Sequence, residues 1–216
     1  MKSVFFDWDG TLVDSIPLLF AAHNHVRVAM GLQPWTQQEY FHFILYSTRE
    51  LYPKIYGSDA GKAQEMLYSY IAENHLKNLQ TIDGAEDILI TLLGRGVPMG
   101  IVSNKRHDAL DREIKHLGWD KYFGCWVGAG EAARDKPEAD PLILALSRHS
   151  VPLNIKNVLY VGDMESDLGC AAKAGCACAF LTHQPTTGDL VERYRPAYTA
   201  ANLTELKERL IRFLDN

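Results

Sequence analysis

Five short apolar segments constrain the fold of this chain more than any other feature of its sequence. They span residues 3–6, 97–103, 125–127, 158–162 and 177–182. Each is continuously apolar rather than alternating, which is typical of parallel strands covered on both faces. Helical patterns lie between them, at residues 85–93, 108–117, 141–149 and 168–174, and a further one follows at 204–214. Because strands and helices alternate, the sequence predicts an α/β fold around a parallel sheet.

The long segment between the first two apolar runs breaks this alternation. Residues 15–81 carry only helical patterns, and Thr36 followed by Glu39 has the spacing of a capping box, which marks a helix start. We therefore expect an α/β core formed by residues 1–14 and 82–216, with a helical subdomain inserted at 15–81.

Composition and charge argue against several classes of protein. The chain has 216 residues, of which 47% are hydrophobic and 23% charged, as in an ordinary globular protein. Its net charge of −5, without a basic cluster, argues against nucleic acid or an anionic membrane as a partner. The first apolar run ends at Phe6, which is too short for a signal peptide, and no stretch reaches transmembrane length. We therefore expect a cytoplasmic protein.

Acidic residues follow two of the predicted strands. Asp7 and Asp9 leave the first strand two residues apart, so an extended backbone projects both carboxylates to one side, and Gly10 allows a tight turn after them. Asp163 and Asp167 follow the fourth strand. Because the carboxyl ends of parallel strands meet at one edge, we expect the carboxylates to converge there. Such a cluster requires a cation, and hard oxygen ligands favour Mg²⁺ shared with phosphate.

Polar residues elsewhere in the predicted core have the chemistry of a phosphate site. Ser103 and Asn104 end the second strand, where a hydroxyl and backbone N–H groups can hold phosphate oxygens. Lys136, followed by Pro137, can supply the positive charge that an anionic site requires. Taken singly, each has an ordinary alternative, because a Ser-Asn pair is typical of turns and a lone lysine is usually solvated.

The order of these elements resembles the four motifs of the haloacid dehalogenase superfamily. The matching segments are DWDGT at 7–11, Ser103-Asn104, Lys136-Pro137 and GDMESD at 162–167. The resemblance spans nearly the whole chain. It implies a Rossmann-like parallel sheet core with an α-helical cap inserted after the first motif, which is where the irregular helical segment lies.

The same resemblance implies a covalent mechanism. Asp7 would be the nucleophile that forms an aspartyl-phosphate, and Asp9 would protonate the leaving group and then activate water. Mg²⁺ would be bound by Asp7, the backbone carbonyl of Asp9 and Asp163, with Asp167 as a further ligand or as a residue that supports the ligands.

The resemblance also implies which residues hold the phosphoryl group. Ser103 and the backbone of Gly10 and Asn104 would bind its oxygens, and Lys136 would neutralise both Asp7 and the phosphate. This division of labour suits phosphoryl transfer, which depends on in-line positioning and charge neutralisation.

Asp9 separates branches of the superfamily. Members that cleave carbon–halogen or phosphonate bonds lack a carboxylate there, so its presence favours phosphomonoester chemistry. Two positions depart from the usual pattern, Trp8 in place of a smaller aliphatic residue and Met164 in place of a small hydroxyl residue. Neither departure removes a catalytic group.

The expected substrate is a small phosphorylated metabolite. The segments DGTLVDS, SNK and KPEADPLILAL are similar to phosphoglycolate-phosphatase-like members, so phosphoglycolate is the first compound to test. Two alternatives remain: a phosphomutase of the β-phosphoglucomutase type, and a non-catalytic protein that binds a phosphorylated ligand. The sequence is compatible with a homodimer but does not decide the oligomeric state.

Arg49 is a candidate for substrate specificity. The stretch YSTRE at 46–50 resembles a cap loop in which enzymes of the β-phosphoglucomutase type place an arginine against a second anionic group. Its planar guanidinium suits a carboxylate or a phosphate. The alternative is an ordinary surface arginine on a helix.

Overall fold

A computed structural model describes residues 1–43, 47–77, 79–183 and 188–215. Within these residues the core holds a single sheet of six parallel strands, in the order β3-β2-β1-β4-β5-β6. The strands are β1 Ser3–Phe6, β2 Met99–Arg106, β3 Cys125–Ala129, β4 Val158–Gly162, β5 Ala177–Leu181 and β6 Tyr198–Ala200. The predicted α/β class is confirmed, and the strand order is that of a Rossmann-like sheet, whose direction of winding reverses beside β1.

The described helices fall into two groups. Those of the inserted segment are α1 Ile16–Ala29, α2 Gln37–Phe43, α3 Thr48–Tyr56 and α4 Ala60–Asn74. Those of the core are α5 Ala85–Gly94, α6 His107–His116, α7 Asp140–Arg148, α8 Glu165–Ala174, α9 Gly188–Tyr194 and α10 Leu203–Asp215. Within its described residues, the long segment that interrupts the strand–helix alternation therefore forms helices joined by loops and contains no strand.

The sheet is buried on both faces. On one face, side chains of α5, α6 and α10 form an apolar cluster with Val4 and Phe6. On the other face, α7, α8 and α9 pack with Phe5. Successive residues of β1 thus point into opposite layers, which explains why this strand is apolar throughout rather than alternating.

The inserted helices have an apolar core of their own. Val26, Tyr40, Tyr52 and Leu67 belong to a buried cluster that is separate from both faces of the sheet. At the predicted boundary, Val13 forms an antiparallel bridge with Thr81. The chain therefore enters and leaves the helical cap side by side, next to the carboxyl end of β1.

Helix starts follow the local sequence where a cap was predicted. The Thr36 hydroxyl accepts a hydrogen bond from the Glu39 backbone N–H at 3.3 Å, and Glu39 Oε2 accepts one from the Thr36 backbone N–H at 2.8 Å. This reciprocal pair confirms the capping box.

In the described part of the chain no helix combines the length and apolarity needed to cross a membrane.

Two elements of the core were not predicted. β6 has only three residues and α9 only seven, so neither is long enough to produce a readable period. β2 also extends three residues beyond its predicted end at 103, to Arg106, and its register with β3 shifts between Val102 and Arg106. Irregular pairing of this kind changes the direction in which side chains project from a strand. The irregular stretch here contains Ser103, Asn104 and Lys105.

Candidate active site

The predicted site residues converge at the carboxyl edge of the sheet, beneath the cap. A cavity of about 380 Å³ lies there between core and cap. Its walls include all of the predicted catalytic side chains and most of the predicted binding residues: Asp7, Asp9, Ser103, Asn104, Lys136, Asp163 and Arg49. Asp167 lies behind this wall, fully buried in the first turn of α8.

Lys136 is the centre of a buried ionic cluster. Its Nζ donates hydrogen bonds to Asp7 Oδ1 at 2.7 Å, to Asp167 Oδ1 at 2.6 Å and to the Tyr160 hydroxyl at 3.2 Å. Burial alone would lower the pKa of the ammonium, but the carboxylates of Asp167 and Asp7 raise it. The lysine therefore carries a positive charge against the predicted nucleophile.

Asn104 holds the backbone of this lysine in place. Its amide Nδ2 donates to the Lys136 carbonyl at 3.0 Å, and its Oδ1 accepts from the Lys136 N–H at 3.0 Å. The predicted role of Asn104 used its backbone. The structure adds a role for its side chain, because these two bonds fix the loop that carries Lys136.

Three carboxylates make the site strongly anionic. Oxygens of Asp7, Asp163 and Asp167 all lie within 4.8 Å of one another, and all three residues are buried. Burial raises the pKa of Asp7 well above its ordinary value, and the negative charges of Asp167 and Asp163 add to this rise, while Lys136 opposes it. One ammonium does not balance three carboxylates, so the donor set and its charge fit a divalent cation.

Asp167 and Asp163 differ in the contacts that their carboxylates make. Asp167 Oδ2 accepts from the backbone N–H of Met164 at 2.9 Å, so with Lys136 on Oδ1 both oxygens are engaged within the protein. Asp163 Oδ1 accepts from the Thr11 hydroxyl at 3.0 Å. Gly10 has φ +80°, and a Cβ there would collide with the Asp163 carboxylate. The turn after β1 therefore requires glycine in order to approach this acid.

Asp9 stands apart from the three acids. Its Oδ1 accepts hydrogen bonds from Lys105 Nζ at 2.6 Å and from the Ser15 hydroxyl. Burial raises the pKa of Asp9, and Lys105 partly offsets the rise. Ser15 begins α1, but its hydroxyl makes no bond to that helix because it is turned to Asp9 instead. The Asp9 carboxylate does not belong to the cluster formed by Asp7, Asp163 and Asp167. This agrees with the expectation that Asp9 would bind the metal through its backbone carbonyl and not through its side chain.

Ser103 is buried at the cavity wall. Its Oγ accepts a hydrogen bond from the Lys105 backbone N–H at 3.0 Å. Among the described residues its hydroxyl donates no hydrogen bond, so it is available to a bound phosphoryl oxygen. The side chain lines the cavity, and its role in holding a phosphoryl group stays a prediction.

Arg49 reaches the cavity from α3, but it also has a partner in the core. Its Nη2 lies 3.1 Å from Asp135 Oδ2, and Asp135 directly precedes Lys136. The Arg49 side chain is 44% exposed, whereas that of Asp135 is 1% exposed. The pair joins cap to core at the cavity, and among the described residues the other guanidinium N–H groups make no hydrogen bond that would compete with a ligand. Tyr46, in the same predicted stretch, lies outside the described residues.

The sequence reasoning missed a second buried cluster around Lys105. Its Nζ also donates to Glu113 Oε2 at 2.6 Å, and Glu113 is fully buried on α6. Trp8 Nε1 donates to the same oxygen at 2.7 Å, and His75 Nδ1 lies 2.9 Å from Glu113 Oε1. Burial alone would raise the pKa of Glu113, but Lys105 lowers it. The sequence indicated this cluster only through Lys105, which belongs to the SNK segment. That segment was used for the resemblance to other members of the superfamily and not to assign a role to the lysine.

Comparisons with known proteins bear on the family to which the chain belongs. Residues 4–181 match the model of the haloacid dehalogenase-like hydrolase family. A phosphoglycolate phosphatase of Yersinia pestis is 25% identical over 95% of this chain and 91% of its own length. A pyrophosphatase, PpaX, of Bacillus velezensis is 27% identical over 95% of this chain and 94% of its own length. The predicted class, a phosphatase-type hydrolase, is therefore confirmed.

Solved structures support the fold. A haloacid dehalogenase-like family hydrolase from Streptococcus pneumoniae superimposes with a TM-score of 0.84 at 22% identity, covering 97% of this chain and 98% of its own. A hydrolase from Pseudomonas syringae gives 0.85 at 21% identity, covering 98% and 99%. Since the family model spans most of the sequence and the fold agrees throughout, this chain belongs to the haloacid dehalogenase-like hydrolases.

Proposed function

We propose that this hydrolase is a Mg²⁺-dependent phosphatase that cleaves a small phosphomonoester metabolite through an aspartyl-phosphate at Asp7. One observation carries the proposal: Lys136 bridges Asp7 and Asp167, while Asp9 lines the same cavity outside the anionic group. A nucleophile beside a fixed cation, with a separate carboxylate for proton transfer, is the set of groups that two-step phosphoryl transfer requires.

The buried acids provide the residues that would hold the metal. Asp7, Asp163 and the backbone carbonyl of Asp9 would bind Mg²⁺, and Asp167 would support them by orienting Lys136. When bound, the ion neutralises charge on the transferring phosphoryl group. We expect Ser103 and the backbone of Gly10 and Asn104 to hold the phosphoryl oxygens opposite Lys136.

The chain's own carboxylates account for the chemical steps. A carboxylate oxygen of Asp7 attacks phosphorus and forms the acyl-phosphate bond, while Asp9 gives its proton to the departing oxygen as the P–O bond breaks. In the second half, Asp9 takes a proton from a water molecule that attacks the same phosphorus. Inorganic phosphate leaves, and the Asp7 carboxylate is restored.

The walls of the cavity favour a small anionic substrate. Besides the catalytic groups, Arg49, Arg106 and Arg112 line it. A volume of about 380 Å³ suits a metabolite rather than a polymer. The relatives named as phosphoglycolate phosphatases make phosphoglycolate the first candidate, and the one named as a pyrophosphatase adds inorganic pyrophosphate. A cytoplasmic location suits such a substrate and stays a prediction, as do a homodimer and the domain boundaries at 14/15 and 81/82.

Phosphate release from a panel of small phosphomonoesters and pyrophosphate tests the proposal. We expect Mg²⁺-dependent turnover that Asp7→Asn lowers by roughly 10⁴-fold, because the nucleophile is lost. Circular dichroism of the variant serves as the control for folding. Near-normal activity of Asp7→Asn would exclude the covalent route. Phosphoenzyme formation without phosphate release would point to a phosphomutase, and binding without either would point to the non-catalytic alternative.

A further inference from the structure

The second buried cluster joins the acid/base residue to the interior of the core. We propose that Lys105, itself fixed by Glu113, is a positioning residue that holds the Asp9 carboxyl group in the orientation needed to protonate the leaving group. This inference rests on the proposed function, and it assigns a part to a lysine outside the predicted site.

Distances and burial place Lys105 between two carboxylates. Its Nζ lies 2.6 Å from Asp9 Oδ1 and 2.6 Å from Glu113 Oε2. The Lys105 side chain is 4% exposed and that of Glu113 is 0% exposed, whereas that of Asp9 is 17% exposed. The Lys105 ammonium is thus shielded from solvent beside Glu113, and Asp9 is the partner that is exposed to the cavity.

Glu113 is immobilised by donors from three different elements. Lys105 comes from β2, Trp8 follows β1, and His75 lies at the end of the cap helix α4. Trp8 is in turn packed edge-on against Trp119, with ring centroids 5.8 Å apart. Because both oxygens of Glu113 are engaged, the carboxylate provides a fixed anchor for Lys105. The same contacts explain Trp8, the departure from the usual motif, since a smaller aliphatic residue has no donor for Glu113.

The contacts of Asp9 are one-sided. Both donors, Lys105 and Ser15, bond to Oδ1, and among the described residues no hydrogen bond is made to Oδ2. A carboxylate clamped through one oxygen loses rotational freedom and leaves the other oxygen for the substrate. General acid catalysis depends on such positioning, because the proton must meet the leaving-group oxygen at hydrogen-bond distance.

The experiment compares two substrates of similar size in wild type and Lys105→Met. Phosphoglycolate, or the best alkyl phosphate of the panel, releases an alkoxide that needs a proton, whereas acetyl phosphate releases a carboxylate that does not. We expect kcat/KM for the alkyl phosphate to fall by about 10- to 100-fold, part of the 10²- to 10⁴-fold that a positioned acid supplies. The value for acetyl phosphate should change little. kcat/KM reports the first transfer, so it is independent of phosphoenzyme hydrolysis.

Matched variants guard against a folding defect. Lys115→Met removes an exposed lysine on α6 that pairs with Asp111 at 2.9 Å, and it should leave both values unchanged. If Lys105→Met does not fold, Lys105→Met/Glu113→Gln removes both charges of the buried pair and should show the same substrate dependence.

The outcomes separate this inference from the proposed function. Equal fold losses on both substrates would overturn the positioning role, since they would indicate phosphate binding or a general structural defect. Unchanged kcat/KM on both would overturn it as well. If the wild-type enzyme hydrolyses neither compound, or does so without Asp7, the proposed function fails and this inference fails with it. Loss confined to the alkyl phosphate supports the inference.

Discussion

Two buried lysines at the cavity have closely similar surroundings and different proposed tasks. Lys136 lies 2.7 Å from Asp7 and 2.6 Å from Asp167, and Lys105 lies 2.6 Å from both Asp9 and Glu113. Around Lys136, Asp163 adds a third buried acid, so negative charge remains in excess. Around Lys105, the neutral donor of Trp8 and the imidazole of His75 complete the shell of Glu113.

The difference between the two clusters shows how the charges around a buried lysine affect what that lysine can do. The three carboxylates around Lys136 leave the larger excess of negative charge, which favours a divalent cation, and that cation would in turn offset the charge of the phosphoryl group. In the cluster around Lys105, both oxygens of Glu113 are already hydrogen-bonded within the protein. Asp9 is therefore the carboxylate of this cluster that can still contact a ligand. Under the two proposals, the same pair of residue types would serve reaction chemistry around Lys136 and positioning around Lys105.

The largest effect that would test this contrast is expected from Lys136→Met. Lys136 is bonded to Asp7, and its loss would remove the charge that we expect to stabilise the attacking group and the phosphoryl oxygens. We expect kcat/KM to fall by about 10³-fold, the upper range for removal of one preorganised donor. The fall should be similar for the alkyl phosphate and for acetyl phosphate, because both transfer the same phosphoryl group. A loss that depends on the leaving group would contradict the contrast with Lys105.

A smaller effect is expected from Glu113→Gln, which weakens the anchor without touching Asp9. The free energy of unfolding should fall by about 2 kcal/mol, because a buried hydrogen-bonded ion pair loses one charge while Lys105 keeps Asp9. Urea unfolding measures this change. kcat/KM for the alkyl phosphate should fall by about tenfold and that for acetyl phosphate less. Glu208→Gln, at an exposed position of α10, is the matched control. A stable variant with normal kinetics would show that Glu113 does not anchor Lys105.

The smallest effect is expected at the half-exposed cation, Arg49. Arg49→Ala should lower kcat/KM for phosphoglycolate by up to about fivefold, corresponding to the ~1 kcal/mol of a solvent-screened ion pair. Acetyl phosphate has no second anionic group and should change less. Equal losses on the two substrates would remove the specificity role and leave Arg49 as a cap-to-core contact with Asp135.

Much of the fold could be predicted from the sequence because its signals are local. Continuous apolar runs predicted five of the strands, and the capping pair Thr36 and Glu39 predicted the start of α2. β6 and α9 could not be predicted, since elements of three and seven residues carry too few side chains to show a period. β2 ends later than predicted because its last residues are polar and irregularly paired.

The candidate site divides in the same way. Asp7, Asp9, Asp163 and Lys136 could be named because each stands in a short motif at or beyond a strand end, where parallel strands bring ligands together. Asp135 and Glu113 could not, because an acid in a loop or on a helix is usually solvated. The hydroxyl of Ser15, the residue before α1, donates to Asp9 and makes no bond to that helix.

The sequence by itself determined the class of fold and the chemistry of the edge, since both follow from residue types at fixed spacing along the chain. Only the tertiary structure decided which charges meet. Lys105 and Glu113 are eight residues apart on adjacent elements, but Trp8 and His75 reach the same carboxylate from distant parts of the chain. Burial then converts these encounters into fixed contacts, because an ammonium or a carboxylate removed from water is stable only beside its partners.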